Sequence, residues 1–526
     1  MNIAQHVLNV LAEDQSKTAI IEAGGNLITR GQLRIKILRR AKCLTDAGLV
    51  PGDRVIVQSS PGIELSISAL AILVAGGVLV LAEAGMAPEI YKNRVARAGV
   101  VWFVLDRKIH WIHLMPGFGK FLRQRGVPLP PPVDSSQVKR LVTPLPGEAF
   151  VEPEHEVVER TDQSDAVIVF TGGTTQDPKG VRFSHRSLDA FISAIGVLTA
   201  PYAITNFVAD TPQQILYGLY MGVGVWVPNG RGDKRASGIA QCLARGDVEM
   251  YFGPPSTWIR ILALAQRDGI LISNKLRLVM LGGAPVSNQL LDQLERWLPT
   301  DTEVRVLYGL TEVGPVCSCT SAYRRHWQGE GNLVGVALPN IQMTIANPGQ
   351  DGVGELEIRG PSVFSGYVGH EASGGVLKTG DLARLVEYEG ETNLVLMGRK
   401  NDMIIRQGVN IYPSVVEPIF QQVCDRSGQP LLIDCQLVGI WDPSKEDEHV
   451  VLFYVPNPDT PVKPSLLRQR LLGYVSTELL PDTIFEIAEI PTVGRQHKAD
   501  KRKLRHQAAN ALGMSSELPS LTNVKS

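Results

Sequence analysis

The sequence predicts an α/β fold that is divided into more than one domain. With 526 residues, the chain is too long for one simple core. Helical patterns alternate with short apolar strands along much of the chain, which is typical of sheets with parallel strand pairs. At 354–360 polar and apolar residues alternate instead, which indicates an antiparallel strand.

The helix–strand alternation begins near the N-terminus. Residues 32–47 have helical spacing with basic exposed positions, and a turn at 48–53 leads into a strand at 54–57. Helix–strand pairs follow at 65–82 and 91–105. The apolar part of the first pair is too short for a bilayer span of about 20 residues, so we interpret it as a buried helix that leads into a strand. Further apolar strands are predicted at 167–170, 248–252, 276–281 and 303–307.

Residues 106–160 interrupt this alternation. The segment 107–125 mixes aromatic and aliphatic side chains with arginines and lysines, and a stiff proline-rich stretch follows at 127–132. For 107–125 we favour a helix that packs on its own domain. Docking on a membrane surface or on a partner protein is the alternative.

Composition and charge argue against several classes of partner. The formal net charge is −1, so no general field favours nucleic acid or an anionic membrane. The six cysteines lack the spacing of a zinc site, and such sparse use suits a reducing cytosol. Residues 1–12 lack the basic and apolar regions of a secretory signal. We therefore expect a cytoplasmic protein with no nucleic-acid partner.

The segment 169–181 is the most informative part of the chain. It places glycines, threonines and Lys179 directly after the apolar run 166–170, as in a buried strand that opens into an anion-binding loop. Glycines let the backbone approach a ligand, hydroxyls donate to phosphate oxygens, and the lysine adds a positive charge. A surface loop of small polar residues is the simpler alternative. The segment is neither a P-loop nor a dinucleotide-binding fingerprint, since it lacks both glycine patterns.

Three later segments also carry groups that suit a nucleotide. The glycines of 282–285 follow an apolar run, where a flat base can lie against the backbone, although strand ends often carry glycine. Residues 308–312 combine an aromatic ring, a hydroxyl and a carboxylate that can bind Mg²⁺, or they begin a helix that Thr311 caps. Asp381 can accept two ribose hydroxyls, or it simply forms a turn beside Gly380.

Together these segments resemble the core motifs of the adenylate-forming superfamily, which includes acyl-CoA synthetases, peptide-synthetase adenylation domains and luciferases. The loop is similar to Thr-Ser-Gly-Thr-Thr-Gly-x-Pro-Lys-Gly, with Gly172 in place of the serine and Gln176 in place of the second glycine. We expect Gln176 to stiffen the loop and to affect turnover more than nucleotide binding. Residues 308–312 match Tyr-Gly-x-Thr-Glu without departure, and the resemblance extends over about residues 20–510.

The resemblance implies a particular domain arrangement. A large N-terminal domain would contain two α/β subdomains and a small β-barrel-like subdomain, and a small mobile α+β domain would follow. The expected bounds are 1–398 for the AMP-binding domain, 399–402 for a hinge that includes Asn401, 403–514 for the C-terminal lid and 515–526 for a tail.

The resemblance also implies ATP and Mg²⁺ as cofactors, a small carboxylic acid as substrate, and roles for individual residues. Thr311 would contact the α-phosphate, Glu312 the metal, and Lys498 both the carboxylate and the α-phosphate. Lys501 is a rival for Lys498, because Gln496 and His497 replace the small residues that precede the family's catalytic lysine. The implied nucleotide-binding residues are Thr171, Gly173, Thr174, Thr175, Lys179, Gly282, Gly283, Ala284, Tyr308, Gly309, Asp381 and Arg399. Among them the resemblance implies that the 282–285 turn and Tyr308 lie beside adenine and that Asp381 and Arg399 contact ribose.

Three functions remain open from the sequence. Residues 403–413 look like the acyl-CoA synthetase version of a later motif, which favours transfer of the activated acid to coenzyme A. The absence of histidine from 209–218, residues 81–86 and the aromatic-basic insert give a looser likeness to β-lactone synthetases of olefin biosynthesis, which close a ring without coenzyme A. A nucleotide-binding protein without turnover is the third, given Gly172 and Gln176. The sequence leaves open the acid and the oligomeric state.

Overall fold

We describe a computed structural model of the chain. It describes residues 2–81, 88–115, 118–119, 139–143, 155–170, 179–228, 230, 233–407, 409–445, 447–493 and 498–514. Several predicted features lie outside these residues: residues 82–86, residues 120–125 of the aromatic-basic segment, most of the anion-binding loop at 171–178, the proline-rich stretch at 127–132, residues 494–497 before Lys498, and the tail at 515–526. No helix within the described residues is both long enough and apolar enough to cross a membrane.

The chain divides into two compact units. The first consists of residues 1–321, 338–342 and 359–377, and the second of residues 322–337, 343–358 and 378–526. The boundary that we predict at 398–399 lies inside the second unit. This division therefore leaves the predicted domain bounds untested, and they stay a prediction.

The first unit contains two sheets, one of which is parallel through most of its width. Its strands are, in spatial order, Gly314–Thr320, Glu303–Leu310, Leu278–Leu281, Met250–Gly253, Asn206–Val208, Gly224–Val227, Thr18–Glu22 and Leu27–Thr29. Neighbours from Glu303–Leu310 to Thr18–Glu22 are parallel, and the pair at each end of this run is antiparallel. The predicted strands at 248–252, 276–281 and 303–307 are thus confirmed.

The second sheet of this unit carries the strands on either side of the anion-binding loop. Its spatial order is Gly366–Tyr367, Gly180–Ser184, Asp165–Phe170, Val78–Leu81, Arg54–Gln58, Trp102–Asp106 and Lys139–Thr143. Gly180–Ser184 is antiparallel to both of its neighbours, and every later pair in that order is parallel. The short strand Gly366–Tyr367 therefore lies beside the segment that follows Lys179.

Helices connect these strands, as the alternation predicts. Thr29 begins one of them with a reciprocal capping box to Gln32, and Ser184 begins another in the same way with Ser187. The segment 65–82 is a buried helix followed by a strand, as predicted. The helices are Ile3–Glu13, Arg30–Asp46, Ile63–Val74, Pro88–Arg97, Arg107–Leu114, His185–Thr199, Pro212–Met221, Asp233–Ala244, Pro255–Asp268 and Asn288–Trp297, with a 3₁₀ turn at Ala200–Tyr202.

The aromatic-basic segment is helical where it is described. The helix Arg107–Leu114 begins with Asp106 as its N-cap, since the Asp106 carboxylate accepts from the Lys108 backbone N–H at 2.8 Å. Trp111 and Leu114 are each 57% exposed. The predicted helix is confirmed, and its exposed apolar side chains leave the docking alternative open.

The second unit is dominated by antiparallel strands. One sheet region has the order Gln342–Ala346, Gly354–Arg359, Val376–Tyr388, Glu391–Arg399 and Asn332–Ala337. Smaller sheets pair Ile404–Arg406 with Val409–Ile411, pair Thr492–Val493 with Lys498–Ala499, and place Asp447–Pro456 between Leu432–Asp442 and Thr483–Glu486. The helices are Ser321–Arg325, Pro413–Gln421, Pro464–Leu471 and Lys501–Leu512, with 3₁₀ turns at Lys400–Asp402 and Thr477–Leu479.

One apolar cluster joins residues on both sides of the predicted hinge. Val395 and Met397 lie in its buried centre, and Met403 and Tyr412 pack against it. The residues after 403 form a mixed helix and strand region with a buried core of its own. The predicted α/β class and the small C-terminal α+β region are confirmed.

Candidate active site

Lys179 is the part of the predicted anion-binding loop that the structure describes. It immediately precedes the strand Gly180–Ser184, and its Nζ lies 4.8 Å from the centroid of the Tyr367 ring. This geometry is a cation–π contact. The other loop residues that we predict, namely Thr171, Gly173, Thr174 and Thr175, lie outside the described residues.

The Tyr-Gly-x-Thr-Glu motif forms a β-hairpin. The strand Glu303–Leu310 continues through Tyr308 and Gly309, a turn follows, and Gly314–Thr320 returns antiparallel to it. The alternative in which Thr311 caps a helix is therefore wrong. Tyr308 is buried, whereas Thr311 at the turn is exposed, so the Thr311 hydroxyl is accessible to a ligand.

Glu312 is held at the end of this turn by two hydrogen bonds. The Tyr367 hydroxyl donates to Glu312 Oε1 at 2.9 Å, and the Phe364 backbone N–H donates to the Glu312 carbonyl at 2.8 Å. Burial raises the pKa of the Tyr367 phenol well above its usual value, and the negative charge of Glu312 raises it further. The phenol therefore keeps its proton and remains a donor to the carboxylate.

A single carboxylate fits the donor set that Mg²⁺ uses beside a nucleotide. Mg²⁺ usually takes one or two protein carboxylates and completes its shell with phosphate oxygens and water. An ionised carboxylate has about four acceptor positions, so Glu312 retains capacity beyond its bond from Tyr367. Within the described residues, no three His, Cys, Asp or Glu side chains form a metal-binding group. Glu312 would thus hold Mg²⁺ together with phosphate, which is the role that the resemblance implies.

The glycine turn at 282–285 lies beside the Tyr308 strand. Leu278–Leu281 and Glu303–Leu310 are parallel neighbours, so their carboxyl ends meet at one edge of the sheet. A Cβ added to Gly282 would lie 2.9 Å from the Leu307 carbonyl oxygen, so only glycine allows this approach. Gly283 is exposed and Ala284 is half-buried. Ligands of open α/β sheets bind at such an edge, and the two adenine-site segments that we predict are here adjacent.

Asp381 and Arg399 form an ion pair in the second unit. They are opposite each other on adjacent antiparallel strands, and Arg399 Nε lies 2.6 Å from Asp381 Oδ1. The Thr379 hydroxyl accepts from the Asp381 backbone N–H at 3.0 Å, and the Arg399 guanidinium donates to the Thr379 carbonyl at 3.3 Å. Asp381 is largely buried, whereas half of the Arg399 side chain is exposed. The two residues predicted to contact ribose are therefore neighbours.

Lys498 lies in the electrostatic field of this pair. It begins the two-residue strand that pairs with Thr492–Val493, and its side chain is accessible to solvent although many protein atoms surround its ammonium. The pKa of the Lys498 ammonium is lowered, chiefly by desolvation and next by repulsion from Arg399, while Asp381 acts in the opposite direction. Lys498, Arg399 and Asp381 thus interact electrostatically.

Lys501, the rival lysine, has a different environment. Its Nζ lies 2.8 Å from Glu417 Oε1 in a largely buried ion pair, and it also donates to the Leu437 carbonyl at 3.5 Å. Asp500 caps the helix that begins at Lys501. These contacts match the simpler alternative for the basic run, a helix start, and they attach that helix to Pro413–Gln421.

Tyr367 is the residue at this site that sequence reasoning missed. It belongs to no segment that the sequence singles out, and a Gly-Tyr pair alone has no distinctive chemistry. Its partners Glu312 and Lys179 are distant in sequence. The predicted residues that the structure describes fall into two groups: Lys179, Gly282, Gly283, Ala284, Tyr308, Gly309, Thr311 and Glu312 in the first unit, and Asp381, Arg399 and Lys498 in the second.

Comparison with known proteins decides the family. A profile of the AMP-binding enzyme family matches residues 9–368. The chain belongs to the AMP-binding enzyme family. This AMP-binding enzyme is 27% identical to the putative acyl-CoA synthetase YngI of Bacillus subtilis over 369 residues, which are 66% of this chain and 64% of YngI. It is 26% identical to 2-succinylbenzoate–CoA ligase of Bacillus mycoides over 452 residues, which are 81% of this chain and 83% of that ligase.

Solved structures show the same fold. The amide bond synthetase McbA from Marinactinospora thermotolerans superposes with a TM-score of 0.75 and 22% identity, covering 96% of this chain and 99% of McbA. ATP-bound MatB from Rhodopseudomonas palustris gives a TM-score of 0.76 and 20% identity, covering 97% of this chain and all of MatB. The predicted adenylate-forming superfamily is confirmed, and the AMP-binding enzyme is an AMP-forming ligase.

Proposed function

We propose that this AMP-binding enzyme activates a carboxylic acid with ATP and Mg²⁺, releases pyrophosphate, and then transfers the acyl group to the thiol of coenzyme A. The Asp381–Arg399 ion pair, whose charges act on Lys498, is the observation that carries this proposal. The resemblance assigns that pair to ribose and the lysine to the reacting carboxylate and α-phosphate. A lysine that serves both groups must lie near the ribose-binding side chains, since the α-phosphate is attached to the ribose.

The first half-reaction joins a carboxylate oxygen to the α-phosphorus of ATP. The bond between that phosphorus and the bridging oxygen breaks, and pyrophosphate leaves with the electron pair. Negative charge rearranges over the phosphoryl oxygens, so fixed donors and cations lower the barrier. In this chain the exposed Thr311 hydroxyl and the Lys498 ammonium would act on the α-phosphate, and Lys179 on the leaving phosphates. Mg²⁺ bound to Glu312 and to phosphate would supply further neutralisation.

The charges around Lys498 favour an anionic ligand. Lys498 and Arg399 are both cationic, and Asp381 offsets their charge in part. The repulsion between Arg399 and Lys498 still lowers the pKa of the lysine despite the presence of Asp381. A bound phosphate would be attracted to both cations and would relieve their repulsion. The charges of Lys498 and Arg399 therefore favour the nucleotide complex over the free protein.

Coenzyme A is proposed as the acceptor on two grounds. The chain resembles acyl-CoA synthetases at 403–413, and part of this segment forms the hairpin of Ile404–Arg406 with Val409–Ile411. Two of the related proteins above are named as an acyl-CoA synthetase and a CoA ligase. The second half-reaction would place the thiolate on the acyl carbon and release AMP.

Closure of a β-lactone is the second candidate. The helix Pro212–Met221, in the region where many acyl-CoA synthetases carry a histidine near the acyl pocket, contains none. In that reaction the substrate's own 3-hydroxyl attacks the activated carbonyl, and AMP leaves without a thiol.

One screen separates these candidates. ATP and Mg²⁺ are incubated with acids of graded chain length, each with and without a 3-hydroxyl, in the presence and absence of coenzyme A. We expect acid-dependent pyrophosphate release, and a CoA thioester with AMP when the thiol is present. AMP formation that ignores the thiol and yields a lactone would overturn the thioester reading. Nucleotide binding without pyrophosphate release for every acid would indicate a protein without turnover.

A further inference from the structure

Tyr367 contacts both charged groups that the proposed function assigns to the triphosphate and its metal. Its hydroxyl donates to Glu312 Oε1 at 2.9 Å, and its ring lies under the Lys179 ammonium at 4.8 Å. One side chain therefore connects the end of the anion-binding loop with the carboxylate of the hairpin turn. All three residues belong to the first unit.

The backbone of Tyr367 is fixed to the strand that follows Lys179. Tyr367 is the antiparallel partner of Val181, and the Val368 backbone N–H donates to the Gly180 carbonyl at 2.8 Å. A Cβ on Gly180 would lie 2.9 Å from the Val368 side chain, so the Val368 and Phe170 side chains pack closely over this glycine. The edge of the Phe364 ring packs on Tyr367 with a centroid separation of 4.8 Å. The ring is thus held in one place relative to Lys179.

Lys179 has no acidic partner in the described part of the chain. Among the described residues its ammonium contacts the Tyr367 ring, and the rest of the lysine is exposed. A ring face attracts an ammonium without neutralising it. If the ring were missing, Lys179 could move towards the Glu312 carboxylate, because Tyr367 is the side chain that contacts both. A direct Lys179–Glu312 pair would occupy both charges. Phosphate and Mg²⁺ would then have to displace that pair before either could bind.

We propose that Tyr367 is a positioning residue that keeps these two charges apart and in place. Its hydroxyl orients the Glu312 carboxylate for Mg²⁺, and its ring holds Lys179 away from that carboxylate so that the ammonium remains available to phosphate. This inference rests on the proposed function for the identity of the ligand, MgATP. It concerns binding, so it is tested without an acid or a thiol.

Two variants separate the hydroxyl from the ring. Tyr367→Phe keeps the ring beneath Lys179 and removes only the donor to Glu312. Tyr367→Leu removes both. Tyr202→Phe is a matched control, because Tyr202 also donates its hydroxyl to a glutamate, Glu303, at the opposite end of the strand that leads to the hairpin turn.

The experiment measures ATP affinity by calorimetry on the full-length protein, first in EDTA and then across a Mg²⁺ titration. For Tyr367→Phe we expect metal-free ATP affinity within about twofold of the unmodified protein and a Mg²⁺ requirement raised about tenfold, as for other groups that orient a metal ligand. Tyr202→Phe should change neither quantity. An unchanged Mg²⁺ requirement in Tyr367→Phe would overturn the role of the hydroxyl. Because this variant lacks only one oxygen atom, its result is informative even if Tyr367→Leu does not fold.

The role of the Tyr367 ring is tested by a second substitution that should restore ATP affinity. We expect Tyr367→Leu to weaken metal-free ATP binding about fivefold or more, because Lys179 can then pair with Glu312. Adding Glu312→Gln should restore that affinity, since the competing carboxylate is gone, whereas damage to packing would persist. A loss that Glu312→Gln does not restore would overturn the spacer role. The failure of the proposed function is a separate result: the unmodified protein would bind MgATP yet release no pyrophosphate with any acid.

Discussion

Asp381 and Arg399 are paired across two adjacent strands, with 2.6 Å between the carboxylate and the guanidinium. Thr379 fixes this geometry, since it binds the Asp381 backbone N–H and receives a hydrogen bond from Arg399. The pair is therefore held by contacts with Thr379 as well as by its own ion pair. A preformed acceptor beside a donor suits two vicinal hydroxyls, which can both donate and accept. We expect this pair to recognise ribose.

Removing the Asp381 carboxylate tests that assignment. Asp381→Asn retains the size of the side chain and loses an ionised acceptor, so we expect the KM for ATP to rise about tenfold. The comparison is with 2′-deoxy-ATP, which already lacks one of the hydroxyls that the carboxylate would accept. The unmodified enzyme should prefer ATP, and the variant should lose much of that preference. An equal preference in both proteins would remove Asp381 from the ribose site.

The two C-terminal lysines are predicted to fail in different ways. Lys498→Ala should reduce acid-dependent pyrophosphate release at least about 100-fold, because a cation at the developing charge is lost. Lys501→Ala is the matched variant. It leaves Glu417 largely buried without its partner, so it should lower the free energy of unfolding, by up to about 3 kcal/mol, and leave the rate of the folded fraction near normal. A larger rate loss in Lys501→Ala than in Lys498→Ala would assign the catalytic role to Lys501 instead of Lys498.

The environment of Lys498 also predicts a pH profile. Desolvation and Arg399 lower the pKa of its ammonium, so the free enzyme should lose this charge at a lower pH than an ordinary lysine would. We expect kcat/KM for ATP to fall on the alkaline side for that reason. Lys498→Arg keeps its charge to higher pH, because a guanidinium does not deprotonate in this range. In that variant the alkaline decline of kcat/KM should therefore shift to higher pH or vanish. The maximal kcat/KM should be lower than in the unmodified enzyme. An identical decline in both proteins would assign it to another group.

Much of the fold could be predicted because its signals are local. The strand at 54–57 and the buried helix and strand within 65–82 follow from apolar runs and turns in adjacent residues. The Tyr-Gly-x-Thr-Glu segment could not be assigned in this way, since a Thr-Glu pair fits a helix start as well as a hairpin. What decides it is the pairing of Tyr308 with Cys317 on the returning strand. Local propensity gives no information on that pairing.

The site was only partly predictable for the same reason. The choice between Lys498 and Lys501 depends on Glu417, which lies 84 residues before Lys501 in the sequence. Tyr367 is 55 residues from Glu312 and becomes important only because a short strand places it beside Lys179. A single sequence does not reveal such long-range contacts. Motif order identified the ligand class, and folding determined which side chains meet.

Acid stability is predicted to depend on His185. This histidine is buried, its Nδ1 accepts from the Ile3 backbone N–H at 3.2 Å, and its pKa is lowered to about 4 by desolvation and by Arg160. It is neutral in the native protein, and the unfolded chain binds a proton below about pH 6.5. The contribution of neutral His185 to the free energy of unfolding is therefore fully present above pH 6.5. It is lost as the pH falls towards 4, and the loss is about 3 kcal/mol.

Urea unfolding at a series of pH values measures this loss. His185→Gln should flatten the decline between pH 6.5 and 4, since no titrating group remains at that position. His326→Gln, on an exposed residue, should leave the slope unchanged. A decline that is the same in all three proteins would show that other groups cause it.

Acid-dependent exchange of pyrophosphate into ATP, measured without any thiol, tests the central claim most directly. Adenylation is reversible, so labelled pyrophosphate should enter ATP only when a suitable carboxylic acid is present, and Lys498→Ala should abolish the exchange while Lys501→Ala retains it. Exchange that needs no acid would contradict the account. So would the absence of exchange across the whole acid screen in a protein that binds MgATP.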